Sequence, residues 1–488
     1  MRSKDDEITA MSAAQLCELI RRRALSPVEI MEAHLRRAEA LNPVLNALVT
    51  FAPGALEEAH AAERAVMRGE RLPPLHGLPV TIKDTIATAN LRTTSGSRVR
   101  ADHVPAADAP AVARLRAAGA IVFAKTNASE LALDYNADNA LFGRTGNPHD
   151  LSRTPGGSSG GCAAAVSACL SPASLGSDLV GSIRIPAHFC GITGLFPTPG
   201  RVASLGHFPP TDGALAQGAS LGPLARRVDD LALLFDALSG KEEDSHDSSH
   251  ANEFGQHVSE TQLRGLRVAF YTDDGVVPVT TETKRAVEAA ARALTEAGLE
   301  TIEARPPEIS GATELWLALF SREVGQIVRA EYAGREELAG ASVRALLRRE
   351  EEVKATVSNA PGDRFEAWAE RDRLRAALLE RMRETPLLLA PVGASAAFAH
   401  GARKVASGRG ELNTFRAFSY AQACNVFALP AVCVPSGRTR EGLPIGVQII
   451  GRPFREQLIL AAARVIETAL GGWQPPAIIL PSGGVDPL

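Results

Sequence analysis

Three residues in this sequence combine a reactive side chain with a setting that could activate it. Lys83 ends the apolar run PVTIKDT, Ser158 lies in GGSSGG at 156–161, and Ser182 closes the turn-rich GSDLVGS at 176–182. A serine hydroxyl can act as a nucleophile or relay a proton. A lysine can act as a base only when it is neutral, and burial favours that form by lowering its pKa. Serine-based catalysis with Lys83 as a candidate base is one interpretation of these residues, and a Lys83 that extends from the strand end into solvent is the other.

The two glycine–serine segments also suit the binding of an anion. Glycine lets backbone N–H groups turn toward a ligand, and successive N–H groups of 176–182 can converge on an oxyanion. The same composition is typical of flexible linkers. Here, however, the second segment runs directly into IRIPAHFCGITGLF, which has the composition of buried structure. We therefore interpret the segments as parts of a site.

GGSSGG fits two other known motifs less well. Residues 156–160 match G-x-S-x-G, the nucleophile elbow of α/β-hydrolases, centred on Ser158. That elbow needs a strand immediately before it, whereas GNPHDLSRTP is typical of a loop. The phosphate-binding pattern G-x-x-x-x-G-K-[ST] does not occur. An α/β-hydrolase-type esterase using Ser158 thus stays an alternative, and a nucleotide site is not predicted.

Composition narrows the class of protein. The 488 residues are 45% apolar and 22% charged with a net charge of −4, which does not favour a nucleic-acid partner. Six cysteines without metal-ligand spacing indicate reduced thiols in a cytoplasmic protein. The charged start MRSKDDEITA and the lack of a long apolar run predict neither a signal peptide nor a membrane span. Histidines 246, 250 and 257 lie in a polar segment without strict spacing, so no metal site is predicted.

The elements that must position these residues alternate between helix and strand. Capping boxes begin helices at Ser12 and Ser26, and Asn42-Pro43 is predicted to end the second. Further helices are predicted over 54–69, 106–118, 222–240, 281–297, most of 312–384, and 455–470. Strands are predicted within 75–87 and over 120–127, 266–271, 299–304, 387–393, 428–437 and 444–451. This alternation predicts an α/β architecture with a parallel or mixed sheet.

No repeat and no break in composition divides the chain. We predict one domain over 1–488. Its motif-bearing core lies in 75–240 and 385–470, with a polar loop at 241–263 and a strand–helix–strand unit leading into a helical substrate-side segment over 264–384. The apolar face of that segment (Leu315, Trp316, Leu319, Phe320) is interpreted as core, part of which could line a substrate channel.

Taken together, the motifs resemble the amidase signature family of serine hydrolases. The resemblance rests on GLPVTIKD, RTPGGSSGG and GSDLVGSIRIPAHFCGITGLFPT, and continues through GRVASLGHFP, GPLARRVDDLALL and the C-terminal segment 427–456. Ser158 and Ser182 are 24 positions apart, which matches the spacing of that family's two catalytic serines. The resemblance implies a large, mixed, twisted β-sheet covered by helices on both sides, and no metal or cofactor.

The resemblance also implies roles for individual residues. Ser182 would be the nucleophile, Lys83 the base, and Ser158 a bridging serine that follows a cis peptide bond after Gly157. The backbone N–H groups of Leu179, Val180, Gly181 and Ser182 would hold the oxyanion. Ala132 and Ser158 would border the bound substrate.

One position departs from the family pattern. Val180 stands where the family commonly has the first of two glycines before the nucleophile. Its isopropyl group adds bulk and restricts the backbone. Our hypothesis is that Val180 narrows the acyl pocket or reorients the oxyanion hole. The neighbouring Asp178 and Arg184 are interpreted as structural, as is Glu130.

The resemblance predicts an amidase that hydrolyses the C–N bond of a small-molecule carboxylic amide. One alternative is the glutaminase (A) subunit of a tRNA-dependent amidotransferase, which shares these motifs and requires protein partners. That subunit usually carries glutamine where this chain has Ile185, which argues against it. An inactive amidase-like scaffold is a further alternative, although Lys83, Ser158 and Ser182 are all present. The sequence leaves a homodimer open and does not identify the amide.

Overall fold

The computed structural model of the protein describes residues 3–239, 258–354, 361–476 and 478. Within these residues the helices are α1 Lys4–Ala10, α2 Ala13–Arg21, α3 Pro27–Leu45, α4 Ala55–Arg68, α5 Pro110–Ala117, α6 Gly160–Ser167, α7 Arg184–Cys190, α8 Val228–Ser239, α9 Glu260–Leu263, α10 Thr281–Glu296, α11 Ala312–Tyr332, α12 Ala341–Lys354, α13 Pro361–Arg381, α14 Thr414–Ala417, α15 Ser419–Val426 and α16 Glu456–Leu470. Most of the polar segment predicted over 241–263, including its three histidines, lies outside the described residues.

The strands of the main sheet come from both halves of the chain. They are β1 Leu48–Phe51, β2 Pro79–Lys83, β3 Ile121–Thr126, β6 Ala173–Asp178, β7 Thr193–Phe196, β8 Ser220–Ala225, β9 Arg267–Phe270, β10 Glu300–Glu303, β11 Leu387–Pro391, β14 Ala431–Arg438 and β15 Pro444–Gly451. Two small pairs lie outside that sheet: β4 Asp138–Asn139 with β5 Gly143–Arg144, and β12 Lys404–Ser407 with β13 Gly410–Asn413.

The main sheet has 11 strands in the order β1-β3-β2-β6-β8-β7-β14-β15-β11-β9-β10. β3, β2 and β6 run parallel to one another, as do β11, β9 and β10, and the remaining neighbours are antiparallel. The predicted mixed sheet is therefore confirmed. Strands from both halves of the chain join this one sheet.

Helices cover both faces of the sheet. Along β11, Leu387 and Leu389 belong to one hydrophobic core while Leu388 and Ala390 belong to the other, because successive strand side chains point to opposite faces. The first core receives side chains from α2, α5, α8, α10 and α16, and the second from α6, α7, α11, α13 and α15. This arrangement confirms the predicted covering of helices on both sides.

The predicted end of α3 was wrong by about one turn. Pro43 lies inside the helix, which continues to Leu45 and ends where Asn46 adopts a left-handed conformation at φ 51°. The side-chain oxygen of Asn42 accepts the amides of Ala47 and Leu48 at 2.9 and 2.8 Å. These bonds tie the helix end to β1 beyond the proline, so Pro43 disrupts only the last turn.

The prediction of a helix over 222–240 was wrong in its first part. Residues 220–225 form β8, which pairs with β6 on one side and β7 on the other, and the helix begins at Val228. A strand buried on both faces is a continuous apolar run, and periodicity alone does not separate it from a buried helix.

Candidate active site

The site begins where two parallel strands end side by side. β2 ends at Lys83, and its neighbour β6 pairs with it in the register Ile82 to Leu175. This register brings Lys83 close to Ser177, which lies near the end of β6. The Lys83 Nζ atom lies 2.8 Å from Ser177 Oγ, and Lys83 is wholly buried. Residues 176–178, predicted as part of a turn-rich segment, are therefore the end of a strand.

Ser158 reaches the lysine from a different loop. It precedes α6 and follows a cis peptide bond with Gly157, as the resemblance implied. The space beside the Gly157 Cα atom is filled by the backbone of Asp134 and Tyr135, which excludes a side chain there. Lys83 Nζ lies 2.6 Å from Ser158 Oγ. Within the part of the chain that the structure describes, Ser158 and Ser177 are thus the hydroxyl partners of the lysine.

Ser182 lies in the loop between β6 and α7. The amide of Ser159 donates to the Ser182 carbonyl at 3.2 Å, which holds this loop beside the Ser158 loop. Ser182 and Ser158 both line the same cavity. Among the described residues the Ser182 hydroxyl has no hydrogen-bond partner. The three predicted catalytic residues are therefore brought to one place, from segments up to 99 positions apart.

The surroundings of Lys83 change its acidity. Burial lowers the pKa of Lys83 to about 7, although charge interactions with Cys162 and Asp178 act in the opposite direction. Burial disfavours the ammonium because a charge loses its hydration there. A large fraction of Lys83 is consequently neutral near neutral pH, which is the form that a base requires.

The loop 179–183, called the nucleophile loop after the role predicted for Ser182, is ordered by Asp178. Its carboxylate accepts the amide of Gly181 at 2.7 Å and that of Ile183 at 3.1 Å. Gly181 has φ 99°, a left-handed conformation that favours glycine. Of the four N–H groups predicted to hold the oxyanion, that of Gly181 is engaged by Asp178. Those of Leu179, Val180 and Ser182 have no acceptor among the described residues.

Two aromatic side chains hold the carbonyl groups of the same loop. Trp316 Nε1 donates to the Leu179 oxygen and Tyr135 OH donates to the Val180 oxygen, each at 2.9 Å. A trans peptide directs its N–H opposite to its carbonyl. The Trp316 bond therefore fixes the direction of the Val180 N–H. Phe415 packs against both rings, with centroids 5.2 Å from Trp316 and 6.3 Å from Tyr135.

Asp178 and Arg184 form a buried ion pair at 3.1 Å. Burial alone would raise the pKa of Asp178, but the Arg184 charge and its hydrogen bonds outweigh it and keep that pKa below its usual value. Arg184 also donates to Gln448 Oε1, Asn425 Oδ1 and the Ala421 carbonyl. These contacts support the interpretation of both residues as structural.

A cavity of about 1510 Å³ opens onto these groups. Ala132 lines it, as predicted for a residue bordering the substrate, and adopts a left-handed conformation at φ 60°. Glu130, although it also lines the cavity, accepts hydrogen bonds from Tyr332 and the Gly340 amide. Other lining residues include Tyr135, Leu179, Val180, His207, Trp316, Leu317, Ile327 and Phe415.

Sequence reasoning gave no role to three residues of this site and left the role of a fourth open. Ser177 and His207 lie inside motifs that carry the family resemblance, but neither was assigned a role. Tyr135 lies in no motif that would have marked it as part of a site. Trp316 was interpreted as core with a role in a substrate channel left open, and the structure shows it both buried in a hydrophobic cluster and on the cavity wall, where it bonds to Leu179. No local signal could have paired Ser177 with Lys83, because the neighbouring position of β2 and β6 depends on strand pairing that the sequence does not show.

The described ranges offer neither a metal site nor a membrane-spanning helix. No cluster of three or more histidine, cysteine, aspartate or glutamate side chains in this part of the chain is placed to hold a metal ion. In the same ranges no helix is both long enough and apolar enough to cross a bilayer.

Known proteins resemble this chain both in sequence and in fold. The sequence model of the Amidase family matches residues 29–460. The chain is 36% identical over 480 residues to the glutamyl-tRNA(Gln) amidotransferase (A) subunit of Thermus thermophilus, covering 94% of this chain and 97% of that protein. A solved amidase shares 30% identity and a TM-score of 0.82, covering 94% of this chain and 100% of that one. A bacterial aryl acylamidase shares 26% identity and a TM-score of 0.81, covering 94% and 96%.

The family match covers most of the chain, and the large mixed sheet agrees with the solved structures of that family. This protein is an enzyme of the amidase signature family.

Proposed function

We propose that the protein hydrolyses a carboxylic amide through an acyl-enzyme on Ser182. The observation that carries the proposal is the contact of 2.6 Å between Ser158 Oγ and a buried Lys83 whose pKa is about 7. A neutral lysine at that distance can take the proton of Ser158. Ser158 can in turn take the proton of Ser182, which lines the same cavity.

The reaction then proceeds in two halves. Ser182 Oγ bonds to the amide carbon, its proton passes to Ser158, and the Ser158 proton passes to Lys83. The C–N bond breaks as Lys83 returns a proton through Ser158 to the leaving nitrogen. Water then attacks the acyl group, and its proton passes through Ser158 to Lys83. Return of that proton to Ser182 Oγ releases the carboxylic acid and restores Ser182. This order follows the general logic of serine nucleophiles activated by a base.

Backbone N–H groups of the nucleophile loop stabilise the tetrahedral oxyanion in this scheme. Those of Leu179, Val180 and Ser182 are the candidates, since the Gly181 amide is engaged by Asp178. One such donor is worth about 3–4 kcal/mol of transition-state stabilisation. The cavity wall of Tyr135, Trp316 and Phe415 suits a small-molecule amide with an apolar or aromatic acyl group.

A second candidate function is the glutamine-hydrolysing component of an amidotransferase. The similarity to the amidotransferase chain of Thermus thermophilus favours it, and the sequence comparisons support it better than a stand-alone amidase. The amide would then be glutamine, the leaving group ammonia, and the partners the other subunits of the complex. Ile185 and the aromatic wall are the features of this chain that favour the stand-alone enzyme.

Labelling with a fluorophosphonate, followed by mapping of the adduct by mass spectrometry, tests the chemistry. We expect modification of Ser182, and its loss in Lys83→Ala. Modification of Ser158 instead would support an α/β-hydrolase-type esterase, and absence of labelling would support an inactive scaffold. Either outcome would overturn the proposal.

An amide panel then separates the two candidate functions. Ammonia release from glutamine and product release from aryl, fatty and short aliphatic amides are measured on the isolated protein. Turnover of apolar amides without partners supports the stand-alone amidase. Turnover restricted to glutamine, and increased when the other amidotransferase subunits are added, supports the second function.

A further inference from the structure

His207 lies at the end of a short chain of hydrogen bonds that leads to Lys83. Its Nε2 atom is 2.9 Å from Ser177 Oγ, and its Nδ1 atom is 2.6 Å from the carbonyl oxygen of Pro209. Ser177 Oγ is in turn 2.8 Å from Lys83 Nζ. The chain therefore runs from the Pro209 carbonyl through His207 and Ser177 to Lys83, and its three side chains are buried.

The partners determine the direction of every hydrogen bond in this chain. A carbonyl oxygen only accepts, so Nδ1 of His207 must carry the ring hydrogen. In a neutral imidazole Nε2 then has none and accepts the hydrogen of the Ser177 hydroxyl. Ser177, having donated its only hydrogen, can only accept from Lys83.

This direction matters for the lone pair of the lysine. A neutral amine has two hydrogens and one lone pair, and the described hydroxyl partners of Lys83 Nζ are Ser177 and Ser158. One hydrogen goes to Ser177, which leaves the lone pair available for the proton of Ser158. If the Ser177 hydroxyl turned and donated to Lys83, it would occupy that lone pair.

We propose that His207 is a positioning residue that fixes the direction of the Ser177 hydroxyl and so keeps the lone pair of Lys83 directed to Ser158. The proposal rests on the function proposed above and adds a residue to its machinery. His207 acts through Ser177 and does not touch the reacting atoms.

The charged surroundings are compatible with this arrangement. Lys83 faces Asp178 on β6, Cys162 on α6, and His207. Burial, together with the charge of Lys83, lowers the pKa of His207 to about 3. The imidazole is therefore neutral over the range in which Lys83 titrates, and the hydrogen-bond directions are retained throughout it.

The test is His207→Phe, which keeps a ring but removes the acceptor. The released Ser177 hydroxyl can donate to neutral Lys83 and favour that form. We expect the plateau of kcat/KM to fall about tenfold and the acid limb of its pH profile to move to lower pH by about half a unit or more. An unchanged limb and plateau would overturn the proposal. His207→Leu, which also lacks an acceptor, replaces the Phe variant if that variant does not fold.

Two further variants separate positioning from general damage. In a Ser177→Ala background, His207→Phe should have no additional effect, because the residue through which it acts is absent. His207→Gln, whose amide oxygen can accept from Ser177, should restore the wild-type limb. Independent, additive effects of the two substitutions would contradict the proposal.

The Lys83→Ala variant distinguishes the two proposals. If the proposed function is wrong, Lys83→Ala retains labelling of Ser182 and the wild-type pH limb. If only the role of His207 is wrong, Lys83→Ala loses the labelling of Ser182 and the pH limb, whereas His207→Phe leaves the labelling and the limb unchanged.

Discussion

Lys83 owes its chemistry to burial at the end of a central strand. Its pKa of about 7 lies well below that of an exposed lysine. Asp84, the next residue, points to the other side and accepts the Thr94 amide and hydroxyl instead. The carboxylate is thereby kept from pairing with Lys83, which would otherwise hold the lysine in its charged form.

We predict that kcat/KM rises with pH through about 7 and then levels off. The neutral amine is the reactive form, so each unit of pH below the pKa should cost about tenfold in rate. Steady-state kinetics from pH 5 to 9 measure this limb. Lys125→Met is a matched control, because Lys125 is also wholly buried with a pKa lowered to about 7 by burial but contacts Thr88 and Thr93 rather than Ser158. Loss of the limb in this control would contradict the assignment to Lys83.

Val180 lines the cavity and contributes its carbonyl to the bond with Tyr135. We predict that Val180→Gly widens the space beside the reacting carbonyl and shifts the acyl preference toward bulkier groups. The shift in the ratio of kcat/KM between a branched and a linear acyl amide should be about tenfold, since one methylene is commonly worth that much in a pocket. Leu317→Ala, farther along the cavity wall, serves as the control. An unchanged preference in Val180→Gly would show that Val180 does not shape the acyl pocket.

At the scale of elements, α11 supports the nucleophile loop from outside. Its Trp316 donates to the Leu179 carbonyl and packs edge-to-face on Phe320 and Phe415. The helix thereby connects the substrate-side segment with the loop that is proposed to hold the oxyanion. A phenylalanine at this position would pack in the same way, but it has no N–H to donate and so would not set the direction of the Leu179–Val180 peptide group.

We predict that Trp316→Phe lowers kcat about tenfold with a smaller effect on KM. The ring packing is retained, but the Leu179–Val180 peptide loses the bond that directs its N–H, and a single oxyanion donor is worth up to about 10²–10³ in rate. Trp368→Phe is the matched control, because Trp368 packs on Phe320 in the same cluster without touching the loop. Equal losses in the two variants would indicate a packing effect alone.

At the scale of the whole molecule, Arg184 joins the nucleophile loop to the C-terminal strands. It is fully buried and bonds to Asp178, to Asn425 of α15 and to Gln448 of β15. Residues 178 and 184 from the middle of the chain therefore meet residues 425 and 448 from its C-terminal part beside the loop that carries Ser182. The single domain and the homodimer stay predictions.

We predict that Arg184→Met destabilises the protein by about 3–5 kcal/mol, because it leaves the Asp178 carboxylate buried without its partner. Denaturant unfolding measures this change. Arg36→Met, which removes an exposed ion pair with Asp5, should cost at most about 1 kcal/mol. The double variant Asp178→Asn/Arg184→Met should recover part of the loss. A loss no larger than that of Arg36→Met would contradict the proposed role of the ion pair.

The sequence alone determined the family, the α/β class and the positions of Lys83, Ser158 and Ser182, because these depend on local motifs and on their spacing along the chain. It also predicted most strands, whose β-branched residues and bounding turns are local signals. It failed at Pro43 and at β8, where contacts with Asn42 and with two neighbouring strands outweigh local preference. Only the tertiary structure placed Ser177 beside Lys83, His207 beside Ser177 and Trp316 beside Leu179. Those contacts depend on strand register and on packing between distant segments, and neither is written in the periodicity of any one segment.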